Sequence, residues 1–374
     1  MIKLFPILFL LLVACTQRAQ VVEDIPLITF DQTKESDWTA DSIQCKFIPL
    51  ETKDECLLAT LIDIQFYKDK IFIVDGYQKG HVSVFNQDGT FIRHIGQLGD
   101  GPGDYLMPHK IHIDVPNNRI TVADRRLNRL IHYRLDDYQY ISHQRAFNHL
   151  DCIWLADGNI LWYDCMGFDT GKREHYFVYI TNAELEKIAY FGKTEKLSPY
   201  MIAEHSLYQY DQETYISFPF SPIVYRVSSD QLEPVFKLSF GKQVMPPDDY
   251  VTAMVKDGSP GTDRILKSDY VNSYSVYETP EYMAITYYTR DFDSYLGFYN
   301  KKTQETHSFS MEMFVKQFGV TGGKLILRKS EDYFVMPLYA KRLKSQQTFR
   351  EDLKQISNNM TEEDNPVLCL FKFR

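Results

Sequence analysis

The fold is decided by residues 61–95, which read LIDIQFYKDKIFIVDGYQKGHVSVFNQDGTFIRHI. Polar turns divide this stretch into four short apolar runs, which are rich in the β-branched and aromatic residues that suit strands. The last turn is Gln87-Asp88-Gly89, and an Asp-Gly pair between apolar runs is typical of a β-hairpin. Four short strands joined by tight turns predict an antiparallel sheet of the kind that forms one blade of a β-propeller.

The same order of runs and turns recurs along the chain, as expected of a repeat architecture. The second strands of the copies are predicted to begin near Ile71, Ile120, Ile160, Tyr215, Met283 and Phe334. The sixth copy supplies three strands, Leu325–Lys329, Tyr333–Leu338 and Val367–Phe373, while Cys45–Leu50 is a strand-like run without a blade of its own. A sheet edge left open invites aggregation. We therefore predict an all-β fold, a six-bladed β-propeller of four-stranded antiparallel blades, closed by an N-terminal strand that completes the last blade. A β-sandwich with additions is the alternative.

Two polar insertions interrupt the repeat. The first, at about 246–271, follows blade four and contains a short helical pattern at Asp248–Val255. The second, Tyr339–Asn365, carries Leu353 and Ile356 at a spacing that suits a brief helix. Both are expected to decorate one face of the ring.

The N-terminus has the pattern of an export signal. Lys3 precedes an apolar run, Leu4–Ala14, that is too short to span a bilayer. Its end, Leu12-Val13-Ala14-Cys15, resembles the lipobox of bacterial lipoproteins, which implies cleavage after residue 14 and lipidation of Cys15. We predict a signal peptide at 1–14, a lipidated tether at 15–26 and the propeller at 27–374. A plain secretory signal with an incidental Cys15 is the alternative.

The composition narrows the partners and the cysteine chemistry. The 374 residues carry a formal net charge of −9, without the basic stripe that nucleic-acid binding needs. No nucleic-acid partner is therefore expected, and the lipid on Cys15 is the predicted attachment to a membrane. Of the six cysteines, Cys152 and Cys165 flank a strand–turn–strand and could pair, or both could be buried as apolar thiols. The absence of a CxxC motif argues against a zinc ribbon.

Two segments carry a resemblance to a known family. Residues 47–52 read FIPLET and residues 96–105 read GQLGDGPGDY. They resemble the six-bladed β-propeller lipoproteins of polysaccharide-degrading bacteria, although Asp104 stands where that family usually has Glu. The resemblance implies a fold distantly related to NHL-type propellers and a place in the cell envelope. Thr16 rather than Asp after the lipidated cysteine implies the outer membrane of a Gram-negative bacterium.

The motifs that could carry chemistry have structural interpretations. The cluster Gly99–Gly103 does not open a helix, as a phosphate-binding loop must, and is interpreted as a tight crossover between blades. His109 and His112 point to opposite faces if they share a strand, so the two cannot bind one metal ion. Asp291 and Asp293 lack the later glycine and glutamate of a calcium loop. We therefore expect no cofactor.

The geometry of a propeller predicts where a ligand would bind. Turns between second and third strands gather with the blade-to-blade crossovers at one mouth of the central channel. Candidate binding residues at this mouth are Tyr77, Arg125, Arg126, Asn128, Arg173, Arg290, Asp291, Asp293 and Arg342. Arginines with tyrosines and acids suit sugars, peptides or carboxylates.

Two functions follow as hypotheses. The first is a binding or scaffolding module for a partner protein or glycan at the cell envelope. The alternative is a metal-dependent propeller enzyme of the lactonase type, for which Asp75, Asp124 and Asp164, the acids at the ends of second strands, are weak candidate ligands. The same acids could instead cap turns. Whether catalysis occurs and how the chain oligomerises stay open at this point.

Overall fold

The computed structural model describes residues 25–31, 36, 38–76, 80–169, 174–194, 206–290, 293–320, 332–345 and 350–374. The chain opens with two strands that belong to distant sheets, β1 (Leu27–Thr29) and β2 (Ile43–Pro49). Blade 1 comprises β3 (Leu61–Tyr67), β4 (Lys70–Asp75), β5 (Val82–Asn86) and β6 (Phe91–Ile95). A small parallel pair, β7 (Gln97–Leu98) and β8 (Asp104–Tyr105), lies in the crossover to the next blade.

The following blades repeat this order. Blade 2 comprises β9 (Pro108–Asp114), β10 (Arg119–Asp124), β11 (Arg129–Arg134) and β12 (Tyr140–Arg145). Blade 3 comprises β13 (Asp151–Trp154), β14 (Ile160–Asp169), β15 (His175–Thr181) and β16 (Lys187–Thr194). Blade 4 comprises β17 (Ser206–Tyr210), β18 (Glu213–Ser217), β19 (Ile223–Val227) and β20 (Leu232–Ser239). Blade 5 comprises β21 (Ser273–Glu278), β22 (Tyr282–Tyr288), β23 (Ser294–Asn300) and β24 (Thr306–Ser310).

The sixth sheet closes the ring. It contains β25 (Phe334–Leu338), β26 (Val367–Phe373) and the N-terminal strand β2 on its outer edge. Strand β2 pairs with β26 in antiparallel register, from Ile43 opposite Phe373 to Pro49 opposite Val367. The predicted six-bladed propeller and its closure by an N-terminal strand are confirmed. The predicted strand Leu325–Lys329 lies outside the described residues.

Each junction between blades has its own apolar core, as a closed ring requires. Six clusters of buried side chains account for the six junctions, including one between blade 6 and blade 1 that contains Ile48, Val335 and Ile73. Second strands are buried on both sides, so they are continuous apolar runs in the sequence. The outermost strand β12 is mostly exposed and reads YISHQR.

The N-terminal segment runs along the outer edge of three blades, which the sequence did not predict. Strand β1 adds to blade 4 as a fifth strand, parallel to β20. Phe30 is fully buried in the core shared by blades 4 and 5. Trp38 then stacks on His307 of blade 5, with ring centroids 3.8 Å apart, and lies 4.2 Å from the ring of Phe373 in blade 6. The segment thus ties together the blades on one side of the closure.

Helices occur in the connections between strands. Helices α1 (Asp248–Asp257) and α2 (Ser259–Leu266) lie between blades 4 and 5, in the insertion at 246–271, and α3 (Met311–Phe318) lies between blades 5 and 6. Helices α4 (Ala340–Ser345) and α5 (Glu351–Asn358) separate β25 from β26. None of the helices in the described ranges has both the length and the apolarity needed to cross a membrane.

Candidate functional site

The five α-helices of the described residues all lie in connections at one face of the ring. In an antiparallel blade, the turn from the second to the third strand and the crossover to the next blade leave from the same end of the sheet. We call this end of the ring the upper face. Helices α1, α2 and α3 lie in crossovers, and α4 and α5 lie in a second-to-third connection. Loops and helices raised on a rigid scaffold are where binding residues concentrate.

The structure places six of the predicted mouth residues on this upper face. Arg125, Arg126 and Asn128 form the turn between β10 and β11, Arg290 and Asp293 lie between β22 and β23, and Arg342 lies in α4. Arg126, Arg290, Asp293 and Arg342 are exposed, whereas Arg125 and Asn128 are half-buried. Tyr77, Arg173 and Asp291 lie outside the described residues.

The exposed arginines of the upper face differ in whether they form ion pairs with carboxylates. Both Nε and Nη2 of Arg290 lie 3.1 Å from the carboxylate of Asp269, in a two-pronged ion pair open to solvent. Arg126 makes no ion pair with any residue that the structure describes. A guanidinium without a carboxylate partner is the group that an acidic ligand would find available.

The turn of blade 2 is fastened to the crossovers on both sides. The N–H of Arg125 donates to Met107 O at 3.1 Å, and the N–H of Ala146 donates to Asn128 O at 2.7 Å. Asn128 has φ 50°, a left-handed conformation that Asn tolerates better than most residues. In the amide orientation that satisfies its hydrogen bonds, its Nδ2 donates to Phe147 O at 3.3 Å and to Arg125 O at 3.2 Å. Asn128 therefore positions this part of the mouth.

Two of the three candidate metal-binding aspartates hold backbone instead. Oδ2 of Asp124 accepts the N–H groups of Leu106 and Met107 at 2.6 Å each, and Oδ1 accepts that of Leu127 at 2.6 Å. The Asp75 carboxylate accepts the N–H groups of Ala59 and Thr60 at 3.0 and 2.7 Å. Each carboxylate clamps the crossover that enters its own blade.

The third candidate aspartate lies inside a strand. Asp164 lies within β14 and is half-buried. In Asp75 and Asp124, the recurrence of an acid at the end of the second strand reflects a recurring structural clamp on the backbone.

The glycine-rich segment 99–103 forms the crossover from blade 1 to blade 2. Arg129 donates from Nη1 to Asp100 O and Gly101 O at 3.1 and 3.0 Å, and Tyr133 Oη donates to Gly103 O at 2.7 Å. A Cβ at Gly101 would lie 2.6 Å from the Asp104 carboxylate. The glycines permit close approach of side chains to the backbone.

A buried cluster that the sequence did not predict lies beneath the upper face, between blades 2 and 3. His109 is the second residue of β9, His149 belongs to the crossover, and Cys152 is the second residue of β13. Their candidate ligand atoms all lie within 4.8 Å of one another. Their exposed fractions are 8%, 3% and 0%.

A β-bulge aims His109 into this cluster. The register between β9 and β10 shifts where Ala123 pairs with Lys110 and Asp124 pairs with Pro108, so His109 lies opposite no residue of its own. Bulges re-aim side chains in this way. His112, three residues on, stacks on Trp154 with ring centroids 4.5 Å apart. The two histidines of β9 therefore have separate surroundings, and the partner of His109 is His149.

The hydrogen bonds of the two clustered histidines are incomplete. Nδ1 of His149 lies 2.6 Å from Phe147 O, whereas its Nε2 and both ring nitrogens of His109 have no hydrogen-bond partner among the described residues. Burial lowers the pKa of His149, and burial together with the neighbouring His149 lowers that of His109. Both imidazoles are therefore neutral near pH 7, with lone pairs available to a ligand.

A pair of charged side chains lies next to the cluster in the sequence, since Lys110 follows His109 and Asp151 precedes Cys152. Lys110 Nζ lies 3.0 Å from the carboxylate of Asp151, and both side chains are largely buried. The ion pair joins the innermost strands of blades 2 and 3.

The described side chains of Cys45, Cys56 and Cys369 form no disulfide. The side chain of Cys165 lies outside the described residues, so its pairing with Cys152 stays a prediction.

Comparisons with known proteins agree with this architecture. The profile of a family described as DUF5128, 6-bladed beta-propeller, matches residues 16–337. The chain is similar to a crystal structure of a Bacteroides fragilis protein that is described as exported, with 26% identity and a TM-score of 0.84 over 93% of this chain and 99% of that one. A member of the DUF4221 family from Bacteroides vulgatus shares the fold at 9% identity, with a TM-score of 0.53 over 90% of this chain and 99% of that one.

Proposed function

Because the chain belongs to the DUF5128 family of six-bladed β-propellers, we propose that it is an exported binding module whose upper face takes an acidic ligand at the cell envelope. The relative from Bacteroides fragilis is described as exported, which agrees with the signal-like segment at 1–14. Fold alone does not assign a function, so the proposal depends on the chemistry of the upper face.

The observation that carries the proposal is a set of exposed basic side chains on blades 2 and 6 of that face. Arg126 stands exposed on blade 2, and Lys341, Arg342 and Lys344 are exposed on α4 of blade 6. The chain as a whole has a net charge of −9. Guanidinium groups bind carboxylates in a two-pronged geometry. The ligand class we propose is therefore carboxylate-bearing, either an acidic glycan or an acidic segment of a partner protein.

The lactonase alternative fits the site less well. It needs several carboxylates that point into the channel and can hold a cation. The oxygens of Asp75 and Asp124 already accept backbone N–H groups. We therefore favour binding over catalysis.

Titration calorimetry of the full chain with acidic and neutral polysaccharides tests the ligand class. We expect polygalacturonate or alginate to bind and neutral dextran not to bind, with affinity falling as salt rises. The double variant Arg126→Ala/Arg342→Ala should weaken binding by roughly tenfold. Arg134→Ala is the matched control, because this exposed arginine lies at the far end of β11, on the opposite face.

Cross-linking in intact cells covers the protein-partner case. We expect the same double variant, but not Arg134→Ala, to lose a specific cross-linked partner if the ligand is a protein. Absence of both polysaccharide binding and a partner sensitive to these arginines would refute the proposal.

We also propose that the chain is held in the outer membrane by a lipid on Cys15. Labelling of cells with a radioactive fatty acid should mark the wild-type protein, and Cys15→Ser should abolish the label and release the protein from the membrane fraction. A Cys15→Ser protein that remains membrane-bound would contradict this anchor.

A further inference from the structure

We propose that His109, His149 and Cys152 form a binding site for a transition-metal ion of the zinc type, buried between blades 2 and 3. The proposal is independent of the ligand that docks on the upper face. It arises from the cluster described above, in which one imidazole from β9 converges with an imidazole and a thiol from the crossover into β13 and its first residues.

The geometry is close to what a metal ion requires. Zinc bonds to nitrogen and sulfur are about 2.0–2.3 Å long, which places tetrahedral ligand atoms about 3.3–3.8 Å apart. The candidate ligand atoms lie within 4.8 Å of one another, so a contraction of roughly 1 Å would complete the site. The ring centroids of His109 and His149 are 4.9 Å apart and the ring planes are inclined at 54°. The rings are therefore not stacked, and their nitrogens can converge on one point.

The unsatisfied nitrogens are the second, independent observation. Native proteins rarely bury polar atoms without partners, and each such atom costs about 1–3 kcal/mol. Here three imidazole nitrogens of two buried side chains have no partner among the described residues. A metal ion bound by His109 and by Nε2 of His149 would satisfy two of them.

The surroundings of His149 also fit a metal ligand. Metal-binding histidines commonly donate their other N–H to a backbone carbonyl, which fixes the ring orientation and the tautomer. His149 Nδ1 lies 2.6 Å from Phe147 O, and Asn128 Nδ2 approaches the same oxygen. This arrangement leaves Nε2 as the ligand atom. Trp162 packs edge-on against the His149 ring at 4.8 Å and holds it in place.

The donor set selects the class of metal. Two imidazoles and a thiolate suit Zn²⁺ or Cu⁺, whereas Ca²⁺ and Mg²⁺ prefer oxygen ligands. Three protein ligands leave a fourth tetrahedral position for water or another ligand.

The test uses the full chain, stripped with a chelator and kept under a thiol-free reductant. Titration calorimetry with Zn²⁺ should show one ion bound per chain, and Co²⁺ should produce the near-ultraviolet absorption of a thiolate-to-metal charge transfer. The variants His109→Leu, His149→Leu and Cys152→Ala should each weaken Zn²⁺ binding by roughly 100-fold or more. Cys152→Ala should also remove the charge-transfer band.

His112→Gln is the matched control, because His112 lies on the same strand but stacks on Trp154. Circular dichroism and thermal melts in chelator establish that each variant is folded. No stoichiometric Zn²⁺ binding would overturn the proposal, as would binding that survives all three substitutions in folded proteins. Loss of binding in His112→Gln to the same degree would also overturn it.

Discussion

Buried polar side chains at the junction between blades 1 and 2 differ from the two histidines at the junction between blades 2 and 3 in how many of their polar atoms form hydrogen bonds. At the first, Asp63 Oδ2 accepts the N–H of Ile111 at 3.0 Å, and Gln65 donates to the carbonyl of the same residue. Tyr105, fully buried, donates to Ile95 O and accepts from Val82 N–H. At the second, the imidazoles of His109 and His149 keep nitrogens without partners among the described residues.

This difference distinguishes buried polar groups that stabilise the fold from buried polar groups that are available to a ligand. The backbone repeats from blade to blade, so the two junctions present similar frames to their side chains. A buried polar group that is hydrogen-bonded stabilises the junction, because removing it leaves its partner buried without a hydrogen bond. An unsatisfied group weakens the frame, and it persists where something other than the fold uses it.

The largest effect is expected at the clamp of blade 2. Asp124→Ala removes the acceptor of three backbone N–H groups and should lower the free energy of unfolding by about 4 kcal/mol. Asp124→Asn keeps one acceptor oxygen and should lie between the alanine variant and the wild type. Urea denaturation measures both.

Asp136→Ala, an exposed aspartate of the same blade, is the control and should change the stability by less than about 0.5 kcal/mol. If Asp124→Ala is no more destabilising than this control, satisfied polar groups do not support the junctions as argued above.

The next effect lies at the closure. Asn365 is 1% exposed; its Oδ1 accepts the N–H of Leu58, and its Nδ2 donates to Glu51 O and Cys56 O. It therefore ties blade 6 to the crossover that enters blade 1. Asn365→Ala should cost about 3 kcal/mol in urea denaturation. Asn359→Ala, on an exposed position after α5, is the control. Equal stability of the two variants would show that the closure depends on β2 and the apolar core alone.

The sequence predicted the parts of the fold whose signal is local. Second strands such as Lys70–Asp75 are buried on both sides, so their apolar runs are continuous, and Asp-Gly turns mark the hairpins. Strand β1 was missed because three residues, Leu27–Thr29, are too few for a periodic pattern. Helix α3 was also missed, since its eight residues directly continue β24.

Predicting the buried cluster required the three-dimensional arrangement of two neighbouring blades, which no short sequence motif contains. His109 was paired in the sequence with His112 by proximity, whereas the bulge and the crossover bring it to His149 and Cys152. The available signal was the repeat itself, since His109 lies at the start of β9, and His149 and Cys152 lie around the start of β13 in the next blade.

A moderate effect is expected from acid, at a histidine that is satisfied. His132 Nδ1 lies 2.9 Å from Thr121 Oγ1, and burial, with the nearby Arg119 and His143 charges, lowers the pKa of His132 to about 4. The unfolded chain binds this proton below about pH 6.5, while the folded chain does not. Stability should therefore fall as the pH drops, by roughly 2 kcal/mol between pH 6.5 and 4.5 from this residue.

The variant His132→Gln checks the assignment, because glutamine does not titrate. Urea denaturation at both pH values should show a smaller loss on acidification than in the wild type. An unchanged loss would place the acid sensitivity on other groups, among them His109 and His149, whose pKa values are also lowered.

The smallest effect on stability, and the sharpest contrast with Asp124, is expected at His109. In chelator, His109→Leu removes a buried imidazole with no described hydrogen-bond partner, so the free energy of unfolding should stay within about 1 kcal/mol of the wild type or rise. His132→Leu, which breaks the contact with Thr121, should cost more. With Zn²⁺ present, only the wild type and His132→Leu should gain stability. A loss at His109→Leu comparable to that at Asp124→Ala would mean that the His109 nitrogens do hold the junction together, and the distinction between the two junctions would fail.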